Sequence, residues 1–385
     1  MSKTGSPPIT DPERPGAASA AARFGLPRMM WWGALVAIAA IAVAKSVGLV
    51  LPRLEPGAYH ADYSVFWTAA RMALSDPASL YDSAAMTEAQ SWLTNPAWGP
   101  RPFAYPPSAL PLFGIFAWLS YWPSLMAWTL VSLAAFAWAT TRYVAGWGVG
   151  LVLISPPVIW CLLLGQTALL SGAAILGAVA LLPKRPIAAG ILLGLVAAVK
   201  PQALLLAPLA LVRSGDWRAL AAAAVAGLGM AAASLPFGPP LWLEWIGAFD
   251  EFEAAIEATR LYYVGLSPAS FARALELPAA ARFAVQLLGV AAGVALVWRA
   301  FRTDDIVFRA AALIGGGILC SPYTMPYELA MLTPLAAAAL LSGRPWGLLG
   351  SFALLGARGM IPILALLLGV AMDRRGREAS GTPAD

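Results

Sequence analysis

"PIAAGILLGLVAAVKPQALLLAPLALV", residues 186–212, is apolar at both ends and broken in the middle by Lys200-Pro201-Gln202. Lys184 and Arg185 precede it, and Arg213 and Arg218 follow it. As one straight helix it would carry Lys200 to the centre of a bilayer, at a cost of about 2.5–3.5 kcal/mol on insertion scales. Pro201 would remove a backbone hydrogen bond as well. Two half-length helices meeting at Lys-Pro-Gln instead leave both basic flanks on one side, with Lys200 facing the outer side or a wet cavity open to it. A lysine at such a depth is expensive enough that function is its first explanation.

The rest of the chain has the same character. Charged residues are 12% of the sequence, against roughly 25% in soluble domains, while 60% are hydrophobic and the mean hydropathy is +0.72. Apolar runs recur from Met30 to Ala371; a helix needs about 20 such residues to cross a bilayer. Lipid excludes unpaired backbone, and a β-barrel would alternate in hydropathy. The expected fold is an all-α polytopic membrane protein with about 10–13 transmembrane helices in a single domain, residues 29–371, between disordered tails at 1–28 and 372–385. The first run, "MMWWGALVAIAAIAVAKSVGLVL" (29–51), is too long for a signal peptide core and reads as an uncleaved anchor. The net charge of +5 does not indicate nucleic acid as a partner, because the basic residues stand at helix ends.

Charge orients the chain. Lys3, Arg14, Arg23 and Arg28 put the N-terminus in the cytoplasm by the positive-inside rule. Residues 52–106 then fall outside, and they hold Glu55, Asp62, Asp76, Asp82 and Glu88. A second acid-rich stretch, about 237–280, is also outside. Arg299, Arg302 and Arg344 mark cytoplasmic turns, and "SPYTMPYE" (321–328) returns to the outer face.

Polar features therefore gather on one side: "HADYSVFWTAARMALSDPASLYD" (60–82), "RPFAYPP" (101–107), Gln166, Lys200 and "SPYTMPYE". An acid, a base and aromatics at the outer membrane surface suit a site that works on something delivered by lipid. Plainer roles compete. Asp62 is a good N-cap for the helix that follows it, and Phe66, Ala70 and Ala73 lie at helical spacing that would rest this helix on the membrane interface. Tyr105-Pro106-Pro107 reads as an extended lead into a helix. Cys161 and Cys320 lie in or beside apolar runs and read as small buried hydrophobes. A single histidine, His60, excludes a multi-histidine metal site, so no metal is expected. "IGGGIL" (314–319) belongs to helix packing rather than to a phosphate loop, so neither a nucleotide site nor a cofactor is expected.

Taken in order, Asp62-Tyr63 with its aromatic helix, "LYD" (80–82), "FAYPPSALPL" (103–112), "GQTALL" (165–170), "AAGILLGLVAAVKPQALLL" (188–206) and "SPYTMPYEL" (321–329) resemble glycosyltransferase family 87. The resemblance implies a GT-C type enzyme of the cell membrane, with its active site on the outer face. It would use a polyprenyl-phosphate sugar, typically mannose, as donor and a glycolipid or glycan as acceptor, and it is expected to invert. It maps the catalytic acid onto Asp62 and the lysine of the broken helix onto Lys200. Some members carry a histidine pair where this chain has Tyr327-Glu328. The chemistry agrees: one carboxylate suffices to take a proton from the attacking hydroxyl, and a fixed cation stabilises charge growing on the leaving phosphate. Lys200 is the first choice for that cation and Arg101 the second. Tyr63, Trp67, Tyr105 and Tyr323 offer faces and hydroxyls to a sugar, and Gln166, Gln202 and Glu328 complete the candidate substrate-binding set. The rival from another class is a multi-pass transporter or lipid flippase, in which a charge on a broken helix serves transport.

Overall fold

The computed structural model describes residues 28–54, 61–93, 101–341 and 347–380. His60, Glu55, Arg344 and, of the basic residues expected to orient the N-terminal tail, Lys3, Arg14 and Arg23 lie outside them. All regular structure among the described residues is helical.

After α1 (Arg28–Val50) come two shorter helices, α2 (Ala61–Ser75) and α3 (Ser83–Ala89). Asp82 starts α3, its Oδ1 accepting from the backbone N–H groups of Ala84 and Ala85 at 2.8 and 2.9 Å, which satisfies donors that a helix start leaves orphaned. A 3₁₀ turn at Pro107–Ala109 feeds α4 (Leu110–Ala117), followed by α5 (Tyr121–Thr140). α6 (Trp147–Leu153) and α7 (Pro156–Leu164) meet at a bend of 52°, where Pro156 and Pro157 cannot extend the preceding helix. The chain continues through α8 (Ala168–Leu181), α9 (Pro186–Val199), a 3₁₀ turn at Pro201–Leu204, α10 (Ala207–Ser214) and α11 (Trp217–Ser234). The acid-rich stretch forms α12 (Leu241–Gly247), α13 (Phe249–Thr259) and α14 (Pro268–Ala274). Next come α15 (Ala279–Ala300) and α16 (Ile306–Cys320). A 3₁₀ segment, Pro326–Leu332, runs into α17 (Thr333–Leu341), and α18 (Gly347–Leu354) and α19 (Ile361–Ser380) complete the described chain. α19 thus carries helix into residues 372–380, part of the expected tail.

Among the described residues, four helices are long and apolar enough to cross a bilayer alone: α1, α5, α11 with the turn after it, and α15. The bent α6–α7 pair can supply a fifth. Counting apolar runs gave 10–13; prolines and polar breaks cut several of these into helices of 10–17 residues. The long helices stand outermost, only 6% of the α11 window and 17% of the α15 window being buried. The short ones fill the centre, with nearly all of α16 and most of α8 enclosed. Lipid is as apolar as leucine, so no hydrophobic force drives a span inward; close backbone approach through small residues does.

Gly190 and Gly194 on α9 illustrate this. A Cβ at either would strike a backbone carbonyl of α11, that of Ala219 for Gly190 and that of Ala223 for Gly194. The register rises together on both helices, so α9 and α11 run parallel. The chain between them must double back, which the turn at Pro201 and α10 accomplish. The basic flanks of residues 186–212 therefore share one end, with Lys200 at the opposite tip. The 14 residues of α9 rise roughly 21 Å at 1.5 Å each, short of a hydrocarbon core of about 30 Å.

α2 is expected from its spacing to lie on the membrane interface. It is instead enclosed by protein: Tyr63 through Ala70 are buried, and Phe66 stacks on Phe113 of α4 at 4.7 Å between centroids. Phe66, Ala70 and Ala73 do share a buried face, but α4 and α5 cover it.

Gly194→Leu should lower the thermal unfolding midpoint in detergent clearly more than Gly229→Leu, because a Cβ at Gly229 on the same helix pair meets nothing within 4 Å. Equal midpoints for the two variants would contradict the close α9–α11 packing.

Candidate active site

Pro201 fixes the shape of the hairpin tip. A residue before proline is driven out of the helical region, and Lys200 sits at φ −142°, ψ 71°, ending α9. Its side chain turns into the bundle, where it is 8% exposed, ion-pairs with Glu328 and lies 5.6 Å from the Tyr327 ring centroid. Glu328, 2% exposed, is carried by the 3₁₀ segment that Pro326 starts. Removing one partner of such a buried pair strands the other charge, at a typical cost of about 3–5 kcal/mol.

Asp62 occupies the first turn of α2, where the helix dipole favours a negative charge. It is half-buried, and its Oδ2 accepts from Gln166 Nε2 at 2.6 Å. On the other side of that amide, Gln166 Oε1 accepts from the Tyr105 hydroxyl at 3.4 Å. The Tyr105 hydroxyl also lies 3.3 Å from Thr167 Oγ1.

Gln166 is aimed by the turn before it. Gly165 adopts φ +65°, and the Gln166 N–H returns to the Cys161 carbonyl at 3.0 Å, a Schellman-type closure of α7. Trp128 Nε1 donates to the Gly165 carbonyl at 3.0 Å. A Cβ at Gly165 would collide with Cβ of Tyr63, so both conformation and space call for glycine.

Tyr105 is held from several sides. Tyr81 Oη donates to its carbonyl at 2.8 Å, Trp245 Nε1 donates to the Ala104 carbonyl at 3.3 Å, and its ring meets Phe66 edge-on at 5.0 Å. Ser108 Oγ donates to the Ala198 carbonyl at 2.6 Å, tying this loop to the last turn before Lys200. Burial raises the Tyr105 phenol above its ordinary value, the Lys200 ammonium opposes that, and the Glu328 and Asp62 carboxylates push it further up. The Tyr323 phenol is likewise raised, first by burial and then by Asp62. The carboxylates of Asp62 and Glu328 thus act on both tyrosines.

Asp62, Tyr105, Gln166, Lys200, Tyr323 and Glu328 therefore come together. The other candidates have surroundings of their own. Tyr63 is 2% exposed, with its hydroxyl against Ser124 Oγ and its ring 5.7 Å from Trp128. Trp67 donates Nε1 to the Leu119 carbonyl at 3.1 Å and packs between Trp92 and Tyr121. Both have their faces covered by protein. Arg101 stands beside α3, its N–H on Thr87 Oγ1 at 3.1 Å and its carbonyl accepting from Gln90 Nε2 at 3.1 Å. Gln202 is exposed just beyond Lys200. Thr167 and Tyr327 also join the cluster; Thr167 stands in the "GQTALL" motif, and Tyr327 is one of the two positions where some members of the resembled family carry histidine. Among the described residues, no three His, Cys, Asp or Glu side chains gather as a metal site requires.

A half-buried carboxylate held by an amide, beside a buried ammonium and flanked by phenols, can accept a proton from a polyol and face a nearby anion. The sequence profile of glycosyltransferase family 87 matches residues 103–322, more than half of the 385-residue chain. No curated protein and no solved structure matches the chain.

Gly165→Ala should destabilise the protein by about 1–2 kcal/mol from the left-handed backbone alone, and further through the collision with Tyr63. Gly215→Ala, also at a left-handed helix C-cap (φ +75°, ψ 17°) but facing open space, is the reference, and melting curves showing no larger loss at Gly165 would contradict this geometry. Burial pushes the Tyr63 phenol up to about 12, with the Ser124 hydrogen bond working against it. A raised phenol favours its neutral form in the fold, so this contribution is intact below the unfolded value of about 10 and fades as pH rises through 12. Alkaline unfolding should lose that component in Tyr63→Phe.

Proposed function

Because the chain belongs to glycosyltransferase family 87, it is a membrane glycosyltransferase, and we propose that it moves a hexose, mannose, from a polyprenyl-phosphate donor to an acceptor hydroxyl at the outer face of the cell membrane. Asp62 is the general base. The acceptor oxygen attacks the anomeric carbon, its proton passes to the Asp62 carboxylate, and the bond from that carbon to the phosphate oxygen breaks with its electron pair leaving on the lipid phosphate. A single displacement inverts the anomeric centre. Catalysis is then a matter of placing the base and compensating the phosphate charge that grows in the transition state.

The observation that carries this reading is the continuity of the cluster. Asp62 is oriented by Gln166, Gln166 by Tyr105 and the Gly165 turn, and Tyr105 lies within the fields of both Asp62 and Lys200. Lys200 supplies the cation for the phosphate, and Glu328 keeps that ammonium buried and aligned before the donor arrives. Tyr105 and Tyr323 border the position of the sugar. A lipid-borne donor fits a cation at the tip of a hairpin too short to cross the bilayer. The acceptor is a glycolipid or glycan, the fold is of GT-C type, and no cofactor is needed because the phosphate is already a good leaving group.

Membranes from overexpressing cells, incubated with radiolabelled polyprenyl-phosphate-mannose, should yield a labelled product. Asp62→Asn should cut its formation about 10²–10⁴-fold, the range for losing a general base, with the protein at its normal level. Normal transfer by that variant removes Asp62 as base, and no transfer of any lipid-linked hexose by the wild type overturns the donor. For sidedness, a cysteine replacing the exposed Glu251 should react with an impermeant maleimide added outside. Reaction only from inside would invert the topology.

A further inference from the structure

Gln286 lies within α15, in the apolar run "FAVQLLGV" (283–290), where a polar side chain requires partners. It has three. Its Oε1 accepts from the Ala269 N–H at 3.0 Å, and its Nε2 donates to the Leu319 and Cys320 carbonyls at 3.2 and 3.1 Å. Those carbonyls belong to the end of α16, where the turn into Ser321-Pro322 leaves them without helical donors. The Ala269 N–H, in the first turn of α14, is orphaned for the same reason. One amide thus satisfies both helix ends.

Two further bonds join the same segments. Ser267 Oγ donates to the Pro322 carbonyl at 2.8 Å, and the Leu266 N–H donates to the Thr324 carbonyl at 2.8 Å. One turn along α15, a Cβ at Gly289 would strike both Pro268 and the Leu319 carbonyl, so this face of the helix fits closely against both partners. Residues 319–324 are therefore stitched to residues 266–269 with Gln286 at the crossing. The stitched strand carries Tyr323 and leads directly into Tyr327 and Glu328, the counter-charge of Lys200.

We propose that Gln286 is a positioning residue of the transfer site, acting through the 319–328 segment to hold Tyr323 and Glu328 in register with Asp62 and Lys200. The proposal rests on the reading of that cluster as the site of glycosyl transfer. Gln286 touches none of the reacting groups, so its loss leaves donor binding largely intact and lowers the fraction of bound complexes in productive geometry.

Gln286→Met keeps length and suits an apolar helix while removing all three bonds. In detergent with polyprenyl-phosphate-mannose as donor, kcat should fall about tenfold or more, since small misplacements of reacting groups are costly, with the donor KM within about twofold of wild type. Cys320, buried beside the released carbonyls, should alkylate with N-ethylmaleimide about tenfold faster as the segment opens locally. Cys161, buried elsewhere, serves as the internal reference in peptide mapping. Faster alkylation with unchanged kinetics would make the clamp merely structural and overturn the proposal, as would a raised KM with kcat intact, or no change in either readout. Should the wild type transfer nothing from this donor, the functional reading fails and the positioning role falls with it, whereas normal wild-type transfer with unchanged kinetics in Gln286→Met overturns the positioning role alone. If Gln286→Met cannot be recovered folded, Ser267→Ala is read by the same two measurements.

Discussion

A lysine enclosed in an apolar bundle keeps its proton only if a counter-charge is enclosed with it. Glu328 is that counter-charge, and much of the architecture follows from bringing it to Lys200. The hairpin tip must be pinned by a segment from the far end of the chain. That segment must break out of helix at Ser321-Pro322 and resume at Pro326 to present the acid. The loop bearing Tyr105 must close over the same place, which the bond from Ser108 to the Ala198 carbonyl secures. Because loss of either charge would strand the other, the pair makes the alignment of these segments close to all-or-none.

The arrangement of long and short helices has a related cause. A full-length span satisfies its own backbone and is content to face lipid. A helix cut short by proline or by a polar residue exposes unsatisfied ends and must be surrounded by protein that answers them. α8, α9, α16 and the 3₁₀ segment before α17 are of this second kind, and they contribute to the candidate site or border it. Small residues permit the crowding: Gly190 and Gly194 admit the carbonyls of α11, and Gly289 and Gly293 those of α16. In this fold, the helices least able to span the bilayer are the ones that frame the candidate site.

The sequence was most legible where one residue type has few explanations. Lys200 followed by proline announced both a break and a burial problem, and the all-helical membrane class followed from composition. Asp62 was readable as a candidate from its neighbours, and Gly165-Gln166 from a motif. Legibility failed where the outcome depends on what packs opposite. Nothing in "ADYSVFWTAARMAL" tells that both faces of α2 are covered, so Tyr63 and Trp67 read as surface aromatics although α4 and α5 enclose them. The pairing of Lys200 with Glu328 spans 128 residues and leaves no local pattern. The part played by Gln286 was not legible, because its partners at Ala269, Leu319 and Cys320 are brought to it only by packing.

That separation has a consequence for biogenesis. Ribosomes extend a chain at roughly 5–20 residues per second, so about 6–26 s pass between synthesis of Lys200 and of its partner. Throughout that interval the ammonium lacks Glu328, its ion-pair partner. A straight span would strand it in hydrocarbon while the translocon waits, whereas a helical hairpin that turns back at this residue lets the charge linger near water until the last third of the protein arrives. The fold of this segment is thus suited to the order in which it is made as well as to the site it completes.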